Sequence, residues 1–359
     1  MKAAVLHAAG QPLAIEDVDI DKPKRREVLI RTAAAGLCHS DLHFIEGKYP
    51  TPVPVVLGHE AAGVVEAVGE DVTYVKPGDH VITCLSLFCG HCEYCLTGQM
   101  SLCATPEVKM PPGKAQRLRW RGQHMNQFVN LSSFAELMLT HENAIVKVRE
   151  DLPLDLGALI GCGVITGYGA VVHTAKVAPG STVAVVGCGG IGLAAVNAAA
   201  IAGAGRILAI DRDPYKLELA RRFGATDAID ASAGDPVAQV VELTKGGAHY
   251  AFEAIGMKTT VEQSFQMLRP GGTATVIGMV PFGVKVELHG FDFLRERRIQ
   301  GSMMGSNRFR IDMPRLIDFY LQGKLHLDQM ISGRLKLEQI NEGFEAMKTG
   351  GVARNVIVF

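Results

Sequence analysis

The segment STVAVVGCGGIGLAAVNAAAIA, residues 181–202, joins a β-branched run, a glycine-rich turn and an alanine-rich run in direct succession. A strand followed by G-x-G-x-x-G and then a helix is typical of the first unit of a dinucleotide-binding parallel sheet. In such a unit Gly187 forms the tight turn, Gly189 lets the backbone approach a pyrophosphate, and Gly192 allows close packing of the helix on the strand. The segment therefore predicts an α/β domain with a doubly wound parallel sheet that binds a dinucleotide.

Residues beside this turn indicate which dinucleotide binds. Gly190 and Ile191 begin the predicted helix, whose N-terminus attracts the negative charge of the ligand. Asp211 ends the next predicted strand, 19 residues after Gly192, where a carboxylate accepts a hydrogen bond from a ribose 2′-hydroxyl and repels a 2′-phosphate. Asp211 therefore favours NAD over NADP, whereas the neighbouring Arg212 weakens this preference for NAD.

The pattern of predicted strands and helices changes twice along the chain. Residues 164–302 alternate strand-like and helical runs, which predicts the parallel-sheet domain. Residues 1–163 contain short strand-like runs separated by turn residues, which predicts a mostly-β domain. Residues 303–359 contain two helical patterns and a final strand-like run. Because the middle block is self-contained, we expect this tail to pack on the first domain.

The composition is that of a globular protein with a sizeable core, because 48% of the 359 residues are hydrophobic and 20% are charged. The 36 basic and 37 acidic side chains nearly cancel, which removes the electrostatic argument for nucleic acid or an anionic membrane as a partner. We accordingly interpret the basic stretch 109–121 as a solvated loop. The uncharged run Val183–Gly205 has the length of a membrane span, but its glycines favour a buried strand, turn and helix.

The eight cysteines point to metal more than to disulfides. The N-terminus predicts no signal peptide, so we expect a cytoplasmic protein with reduced thiols. Four cysteines follow a C-x2-C-x2-C-x7-C spacing in a turn-rich stretch, and four thiolates this close can surround one tetrahedral ion. A closed set of sulfur ligands is typical of structural zinc, with an iron–sulfur cluster as the alternative. These residues are Cys89, Cys92, Cys95 and Cys103.

A second set of metal-binding side chains is spread along the chain. Cys38, His59 and Cys162 offer the two thiolates and one imidazole of an open catalytic zinc site. Their spacing alone is weak evidence, because a chain with eight cysteines and 12 histidines offers many such triples. From the residues alone, buried structural cysteines and a hydrogen-bonded core histidine remain the alternative.

The order of these motifs resembles that of the zinc-containing medium-chain alcohol dehydrogenases, from about residue 2 to residue 359. The matching segments are GLCHSDLH at 36–43, GHE at 58–60, the four-cysteine stretch at 89–103, CGVITGYG at 162–169, GCGGIG at 187–192 with Asp211, and the final GVARNVIVF. The resemblance implies a mostly-β, GroES-like catalytic domain, with a structural zinc lobe, and a Rossmann domain that binds NAD. The implied ranges are 1–163 for the catalytic domain, 84–105 for the lobe, 164–302 for the Rossmann domain and 303–359 for a return to the catalytic domain.

The resemblance also assigns roles at matched positions. It implies that a catalytic zinc has three protein ligands, namely Cys38, His59 and Cys162. Glu60 matches a carboxylate that approaches the same metal, and Asp41 matches the partner that orients the histidine. Ser40 and His43 match a proton relay that runs through the cofactor ribose to solvent. The resemblance implies that His39 and Arg354 contact the pyrophosphate of the cofactor. It further implies that Lys216 contacts the adenosine ribose, and that Thr166 and Val280 contact the nicotinamide.

The substrate pocket implied by matched positions is apolar, which suits a primary alcohol with an alkyl or aromatic body. Its lining is Leu85, Phe128, Val129, Val280 and Pro281. The alternative enzyme is glutathione-dependent formaldehyde dehydrogenase, a close branch that usually has acidic residues before the GHE segment. This chain has Gly47-Lys48-Tyr49-Pro50-Thr51-Pro52 there, which disfavours a glutathione adduct without excluding it. The loop after the zinc lobe resembles the dimeric branch, so we expect a homodimer.

Overall fold

The computed structural model describes residues 1–111, 114 and 117–359. The middle of the chain forms a parallel sheet whose first strand, Thr182–Val186, lies at the centre. Across the sheet the order is Asp227–Asp230, Arg206–Asp211, Thr182–Val186, Ala248–Glu253, Leu268–Val276 and Arg298–Gly301. The order reverses at the central strand, as in doubly wound sheets that bind a ligand at this point. The helices of this half are Gly190–Ile201, Pro214–Arg222, Pro236–Thr244 and Lys258–Gln266.

Local sequence signals account for these boundaries. Asp213 caps the helix Pro214–Arg222 by accepting a hydrogen bond from the N–H of Tyr215, and proline occupies the first helical position. The uncharged run Val183–Gly205 forms the buried strand, the turn and the buried helix that its glycines predict.

Both ends of the chain contribute to the remaining sheets. One sheet has the order Ile145–Lys147, His80–Thr83, Ala61–Val68, Glu27–Gly36, Arg354–Val358 and Ile331–Leu335, and Leu137–His141 also pairs with Glu27–Gly36. The other has the order Ala14–Asp17, Lys2–Leu6, Val55–Val56, Gln123–Gln127, Leu118–Trp120 and Asp19–Ile20. The α-helices of these regions include His39–Ile45, Glu93–Leu96, Phe309–Leu321 and Ile340–Thr349.

A helical stretch from Leu154 to Thr174 connects the β half to the parallel sheet, with π-helical turns at Ile160–Val164 and Ala170–Thr174. It is long and apolar enough to cross a bilayer, but 89% of its most apolar window is buried inside the protein, as in a core helix. Its side chains share one hydrophobic core with the central strand and with Cys38 of the β half. The two halves of the molecule therefore meet around this stretch.

The basic segment after the four cysteines is more ordered than the sequence predicts. Leu118–Trp120 pairs with Gln123–Gln127 in a hairpin, and Arg117 forms ion pairs with Asp21 and Glu27. The interpretation of 109–121 as a solvated loop is therefore wrong for residues 117–120. Asp21 and Glu27, which are distant in sequence, neutralise Arg117, and Asp21 also pairs with Arg119. Part of that prediction falls outside the described residues, namely on Pro112, Gly113, Ala115 and Gln116.

Candidate active site and metal centres

Three separate elements bring one set of candidate metal ligands together. Cys38 lies between a long strand and a short helix, His59 precedes a strand, and Cys162 lies in a π-helical turn. Their ligand atoms and a carboxylate oxygen of Glu60 lie within 4.8 Å of one another, and all four residues are buried. Nε2 of His59 is 3.2 Å from Sγ of Cys162. The three ligands implied by the resemblance thus meet at one point.

The chemistry of this cluster fits a zinc ion. Two thiols and one imidazole match the ligands that zinc prefers, and three ligands leave one tetrahedral position for a small molecule. Oε1 of Glu60 is buried and lacks a hydrogen-bond partner among the described residues, so a cation beside it would satisfy this carboxylate. Oδ1 of Asp41 lies 3.1 Å from Nδ1 of His59 and accepts the N–H of Gly58. This contact leaves Nε2 of the imidazole facing the thiols.

The surroundings favour one ionised thiol in this cluster, because the hydrogen bond with Cys38 and burial raise the pKa of Cys162. A hydrogen bond with Cys162 lowers the pKa of Cys38, and Arg354 and His59 add to the shift although burial opposes it. Burial raises the pKa of Glu60 to about 7, and Arg354 opposes that shift. Nη2 of Arg354, itself buried, lies 3.5 Å from Oε2 of Glu60. One buried cation thus offsets part of the negative charge that the Cys38 thiolate and the Glu60 carboxylate bring.

The four clustered cysteines surround a second point. Their Sγ atoms lie within 4.8 Å of one another, with 3.9 Å between Cys89 and Cys95. Sγ of Cys89 accepts hydrogen bonds from Oγ1 of Thr105 at 3.5 Å and from the N–H of Cys92 at 3.3 Å. Although burial opposes ionisation, these hydrogen bonds lower the pKa of Cys89 to about 5. Because four sulfurs close the tetrahedron, the site suits an ion with a structural role.

The glycine turn has the space that a dinucleotide needs. A side chain at Gly192 would overlap the backbone of Gly187, whose φ of 91° lies in the left-handed region. A Cβ at Gly189 would meet none of the described atoms within 4 Å, which leaves room for a pyrophosphate at the helix N-terminus. Oδ2 of Asp211 accepts the N–H of Cys188 at 2.7 Å, which fixes this carboxylate beside the turn.

Arg354 connects the glycine turn to the metal cluster. Its guanidinium packs against Gly190 of the turn and against Gly163, which follows Cys162, and a side chain at either glycine would overlap it. The other predicted cofactor contacts are more dispersed, and they remain predictions. Thr166 is buried, Lys216, Ile191 and Val280 are half-buried, and His39 and Arg212 are exposed.

An aromatic row runs outward from His59. The ring centroids of His59 and Phe128 are 6.0 Å apart, those of Phe128 and Phe44 4.7 Å, and those of Phe44 and Tyr49 5.7 Å. This row is an apolar wall beside the metal cluster. Of the predicted pocket residues, Phe128 contacts a candidate metal ligand. Leu85, Val129, Val280 and Pro281 are half-buried, and their place in the pocket remains a prediction.

The two predicted relay residues, Ser40 and His43, lie on the short helix His39–Ile45 and are half-buried. Burial lowers the pKa of His43, and the positive charge of Lys48 adds to this shift. The imidazole is therefore neutral at pH 7 and is able to accept a proton.

Two residues to which the sequence assigns no role in the site make contacts at the ends of strands or loops in the two halves. The hydroxyl of Tyr49 donates a hydrogen bond to the carbonyl oxygen of Val280. Glu253 is fully buried at the end of a central strand, and its Oε1 accepts the N–H groups of Ile255 and Gly256. No spacing motif marks either residue, because their partners are set by the packing of the sheet ends.

Known protein families match both halves of the chain. The alcohol dehydrogenase GroES-like domain family matches residues 24–150. The zinc-binding dehydrogenase family matches residues 190–322. Together these ranges include the four-cysteine stretch and most strands of the parallel sheet.

Similar proteins span the whole chain. Alcohol dehydrogenase class-3 of Myxine glutinosa is 39% identical over 364 residues, covering 99% of this chain and 97% of that protein. The probable S-(hydroxymethyl)glutathione dehydrogenase 1 of Schizosaccharomyces pombe is 39% identical over 363 residues, covering 99% of this chain and 96% of that protein. The crystal structure of benzyl alcohol dehydrogenase from Acinetobacter calcoaceticus superposes with a TM-score of 0.94 at 34% identity, covering 100% of this chain and 99% of that one.

Proposed function

Because the chain belongs to the zinc-containing medium-chain alcohol dehydrogenase family, we propose that it interconverts primary alcohols and aldehydes, with an alkyl or aromatic body, using NAD. The observation that carries this proposal is the buried cluster of Cys38, His59 and Cys162, with the apolar ring of Phe128 against His59. An open metal position beside an apolar wall suits a hydroxyl group attached to a hydrocarbon body.

Family membership confirms several predictions made from the sequence. The fold class is a Rossmann domain with a mostly-β GroES-like domain, and the enzyme is an NAD-dependent zinc alcohol dehydrogenase. The cofactors are NAD and zinc, and the structure holds two candidate zinc-binding clusters. We propose that Cys38, His59 and Cys162 hold the catalytic ion and that the four-cysteine cluster holds the structural one.

The domain boundaries and the NAD site are also proposals. We assign residues 1–163 and 303–359 to the catalytic domain, residues 84–105 to its zinc lobe and residues 164–302 to the NAD-binding domain. The glycine turn, Asp211 and Arg354 would hold the cofactor. The support is the free space at Gly189 and the fixed carboxylate of Asp211 beside it.

A zinc ion held by Cys38, His59 and Cys162 would supply a Lewis acid for the substrate oxygen, and bound NAD would supply the hydride acceptor. The protein itself positions the reactants and carries the proton. Oγ of Ser40 takes the proton of the alcohol hydroxyl as its own hydroxyl proton leaves, and a ring nitrogen of His43 accepts a proton from this relay and passes it to solvent. Asp41 holds the imidazole of His59 in one orientation, and Phe128 excludes water from the hydrocarbon body of the alcohol.

A second candidate substrate is the glutathione adduct of formaldehyde. The name of the Schizosaccharomyces pombe relative, 39% identical to this chain, favours it. Lys48 and Tyr49 stand where the glutathione-dependent branch usually has acidic residues, and the apolar row of Phe128 and Phe44 offers such a charged tripeptide no partner. We therefore rank the apolar primary alcohol first.

The deciding experiment follows NADH absorbance while the zinc-loaded enzyme meets NAD and a panel of short, long and aromatic primary alcohols. A parallel series adds formaldehyde with and without glutathione. A turnover rate that varies with the size of the alcohol would support the proposal. Turnover that needs both formaldehyde and glutathione, with none on the alcohols, would establish the second candidate instead.

We further propose a homodimer that forms along the edge of the parallel sheet. The edge strand Arg298–Gly301 follows a segment with unusually exposed apolar side chains, including Phe282 at 81% and Leu294 at 79% exposure. A second copy of the chain would cover both the strand edge and this apolar surface by two-fold symmetry. Light scattering after gel filtration should give twice the chain mass for the wild type. The variant Leu294→Glu should shift this mass toward the monomer, whereas a monomeric wild type would contradict the proposal.

The cytoplasmic location is a proposal that rests on the cysteines. All eight are described and unpaired, as is typical of proteins in a reducing compartment. Fractionation of cells that express the tagged protein would test this location.

A further inference from the structure

Asp213 joins the NAD-binding half to the C-terminal part of the catalytic half. Its Oδ2 accepts a hydrogen bond from the N–H of Gly351 at 3.1 Å, although 138 residues separate the two. Within the described part of the chain, this is the one hydrogen bond between residues 175–302 and residues 330–359. Asp213 lies two residues after Asp211, so the contact spans the cleft between the halves beside the proposed cofactor site.

The two carboxylate oxygens of Asp213 have separate partners. Oδ1 accepts the N–H of Tyr215 at 3.0 Å and so caps the helix Pro214–Arg222. A serine hydroxyl also caps helices, but it is shorter and has one acceptor oxygen where the carboxylate has two. Helix capping alone therefore does not need the second oxygen, which binds Gly351.

The backbone around Gly351 is shaped for this contact. Gly350 and Gly351 directly follow the helix Ile340–Thr349. Both have left-handed conformations, with φ of 84° and 76°. A Cβ at Gly351 would meet none of the described atoms within 4 Å, so free space is not the reason for a glycine there. The reason is the left-handed conformation, which turns the N–H of Gly351 toward Asp213.

The bond to Gly351 completes a ring of contacts that starts and ends at the glycine turn. Oδ1 of Asp211 accepts the N–H of Asp213 at 3.0 Å, and Oδ2 of Asp211 accepts the N–H of Cys188 within the turn at 2.7 Å. From Gly351 the chain runs three residues to Arg354, whose buried guanidinium packs against the same turn. The ring thus holds the carboxylate and the guanidinium of the proposed NAD site in place, although they belong to opposite halves.

We propose that Asp213 is a positioning residue for NAD, because its bond to Gly351 keeps the two halves together around the dinucleotide and slows the release of NADH. The inference rests on the proposed function, since the proposed NAD site lies between Asp211 and Arg354. For the dinucleotide to leave, these two side chains must move apart, which breaks the bond between Asp213 and Gly351. No bond of the reaction forms or breaks on Asp213.

The test compares Asp213→Ser with the wild type, both as zinc-loaded enzymes. Asp235→Ser is the matched control, because Asp235 also caps a helix that begins with proline and accepts the N–H of Val237 at 2.9 Å. The dissociation constant of NADH is measured by fluorescence titration, and its release rate by stopped-flow displacement with excess NAD. We expect both to rise about tenfold in Asp213→Ser, because a hydrogen bond to a charged acceptor is lost. Both should stay within about twofold of the wild type in Asp235→Ser.

The direction of the change separates the bond from the charge. Removing a negative charge beside a pyrophosphate would by itself tighten the binding of the cofactor. Weaker binding in Asp213→Ser therefore reports the loss of the bond to Gly351. The rate of hydride transfer in a single turnover at saturating NAD should change by less than about twofold, because Asp213 touches no reacting atom. The temperature of thermal unfolding should be alike in Asp213→Ser and Asp235→Ser, since serine keeps both helix caps.

Hydrogen exchange tests the contact without cofactor. In the absence of NAD, peptides that contain Gly351 should exchange their backbone N–H faster in Asp213→Ser than in the wild type. Asp235→Ser should exchange as the wild type does in these peptides. Asp213→Thr, whose hydroxyl also caps helices, replaces the serine variant if that variant does not fold.

The possible outcomes separate the two proposals. A wild type that binds NADH, with the same affinity and release rate in Asp213→Ser, would overturn the inference and leave the proposed function in place. Equal exchange at Gly351 in the wild type and Asp213→Ser would also overturn the inference, since the bond would then be absent in solution. A wild type that neither binds NADH nor turns over any alcohol would overturn the proposed function, and with it the role of Asp213 in holding NAD.

Discussion

Oγ of Ser40 lies 3.5 Å from Sγ of Cys38, one of the candidate zinc ligands. The two residues stand at the start of the helix His39–Ile45, so the helix itself sets this distance. His43 follows Ser40 by three residues on the same helix, which places both side chains on one face. Its Nδ1 is buried and has no hydrogen-bond partner among the described residues. A hydroxyl beside a candidate zinc ligand is thus followed on the same helix by an imidazole that is available for a proton.

Replacing Ser40 with alanine should slow the reaction without weakening cofactor binding. The hydroxyl accepts the proton of the alcohol, so we expect kcat for alcohol oxidation to fall about a hundredfold. The dissociation constant of NADH, measured by fluorescence titration, should change by less than about twofold, since this side chain acts on the chemical step. Ser40→Thr keeps a hydroxyl and is the control. Unchanged turnover in Ser40→Ala would remove this residue from the mechanism.

Replacing His43 with glutamine should give a pH-dependent defect. Burial lowers the pKa of His43, so the neutral ring predominates at pH 7 and is lost only as the pH falls below the ordinary value of about 6.5. We expect His43→Gln to lower kcat about tenfold at pH 7. The defect should shrink as the pH rises, because hydroxide replaces the ring as proton acceptor. The exposed His124, changed to glutamine, is the control, and a defect of equal size at every pH would contradict the relay.

Replacing Cys95 with serine should remove one metal ion and destabilise the protein. A serine hydroxyl is a poor substitute for a thiolate, so zinc measured by atomic absorption should fall from two ions per chain to one. The free energy of unfolding should fall by about 3 kcal/mol or more, because metal binding to a closed site contributes to folding. Cys84→Ala is the control, since burial raises the pKa of the Cys84 thiol to about 11 and it lies outside both clusters. Retention of two ions in Cys95→Ser would contradict the assignment.

Replacing Asp211 with alanine should weaken the preference for NAD. The carboxylate is held beside the glycine turn by the N–H of Cys188, where it faces the ribose of the proposed NAD site. Loss of a charged hydrogen-bond partner should lower kcat/KM for NAD about tenfold or more, and loss of its charge should raise kcat/KM for NADP. Asp230→Ala, at the same edge of the neighbouring strand, is the control. If the NAD-to-NADP ratio stays the same in Asp211→Ala, the carboxylate does not select the cofactor.

The sequence predicts the parallel sheet well because its signals are local. Residues 181–202 contain the strand, the turn and the helix in one contiguous run, and the cap at Asp213 needs only the next two residues. The cluster of His59 and Cys162 is different, since 103 residues separate these ligands. Spacing does not bring them together, because they meet only after a strand of the β half and the connecting helical stretch have packed. The resemblance to a known family identifies these ligands, whereas the periodicity of the sequence does not.

Long-range side-chain partners explain the failures of prediction. Arg117 and Asp21 lie 96 residues apart, so a row of basic residues indicated a solvated loop although carboxylates neutralise part of it. Tyr49 and Val280 lie 231 residues apart, and no motif relates a tyrosine in an exposed loop to a backbone carbonyl of another domain. Such contacts depend on how complete domains pack, which a pattern of neighbouring residues does not encode.

The position of the strand Arg354–Val358, between Glu27–Gly36 and Ile331–Leu335, sets an order of assembly during protein synthesis. Every strand of the parallel sheet lies between residues 182 and 301, so the ribosome releases all of them while this last strand is still unmade. Until then the sheet of the β half has an unpaired edge along Ala34–Gly36, because Leu137–His141 pairs only with Glu27–Arg31. The NAD-binding half is thus able to fold on the ribosome, whereas the sheet of the catalytic half is completed only after residues 354–358, with the Arg354 that lies beside Glu60, have left the ribosome.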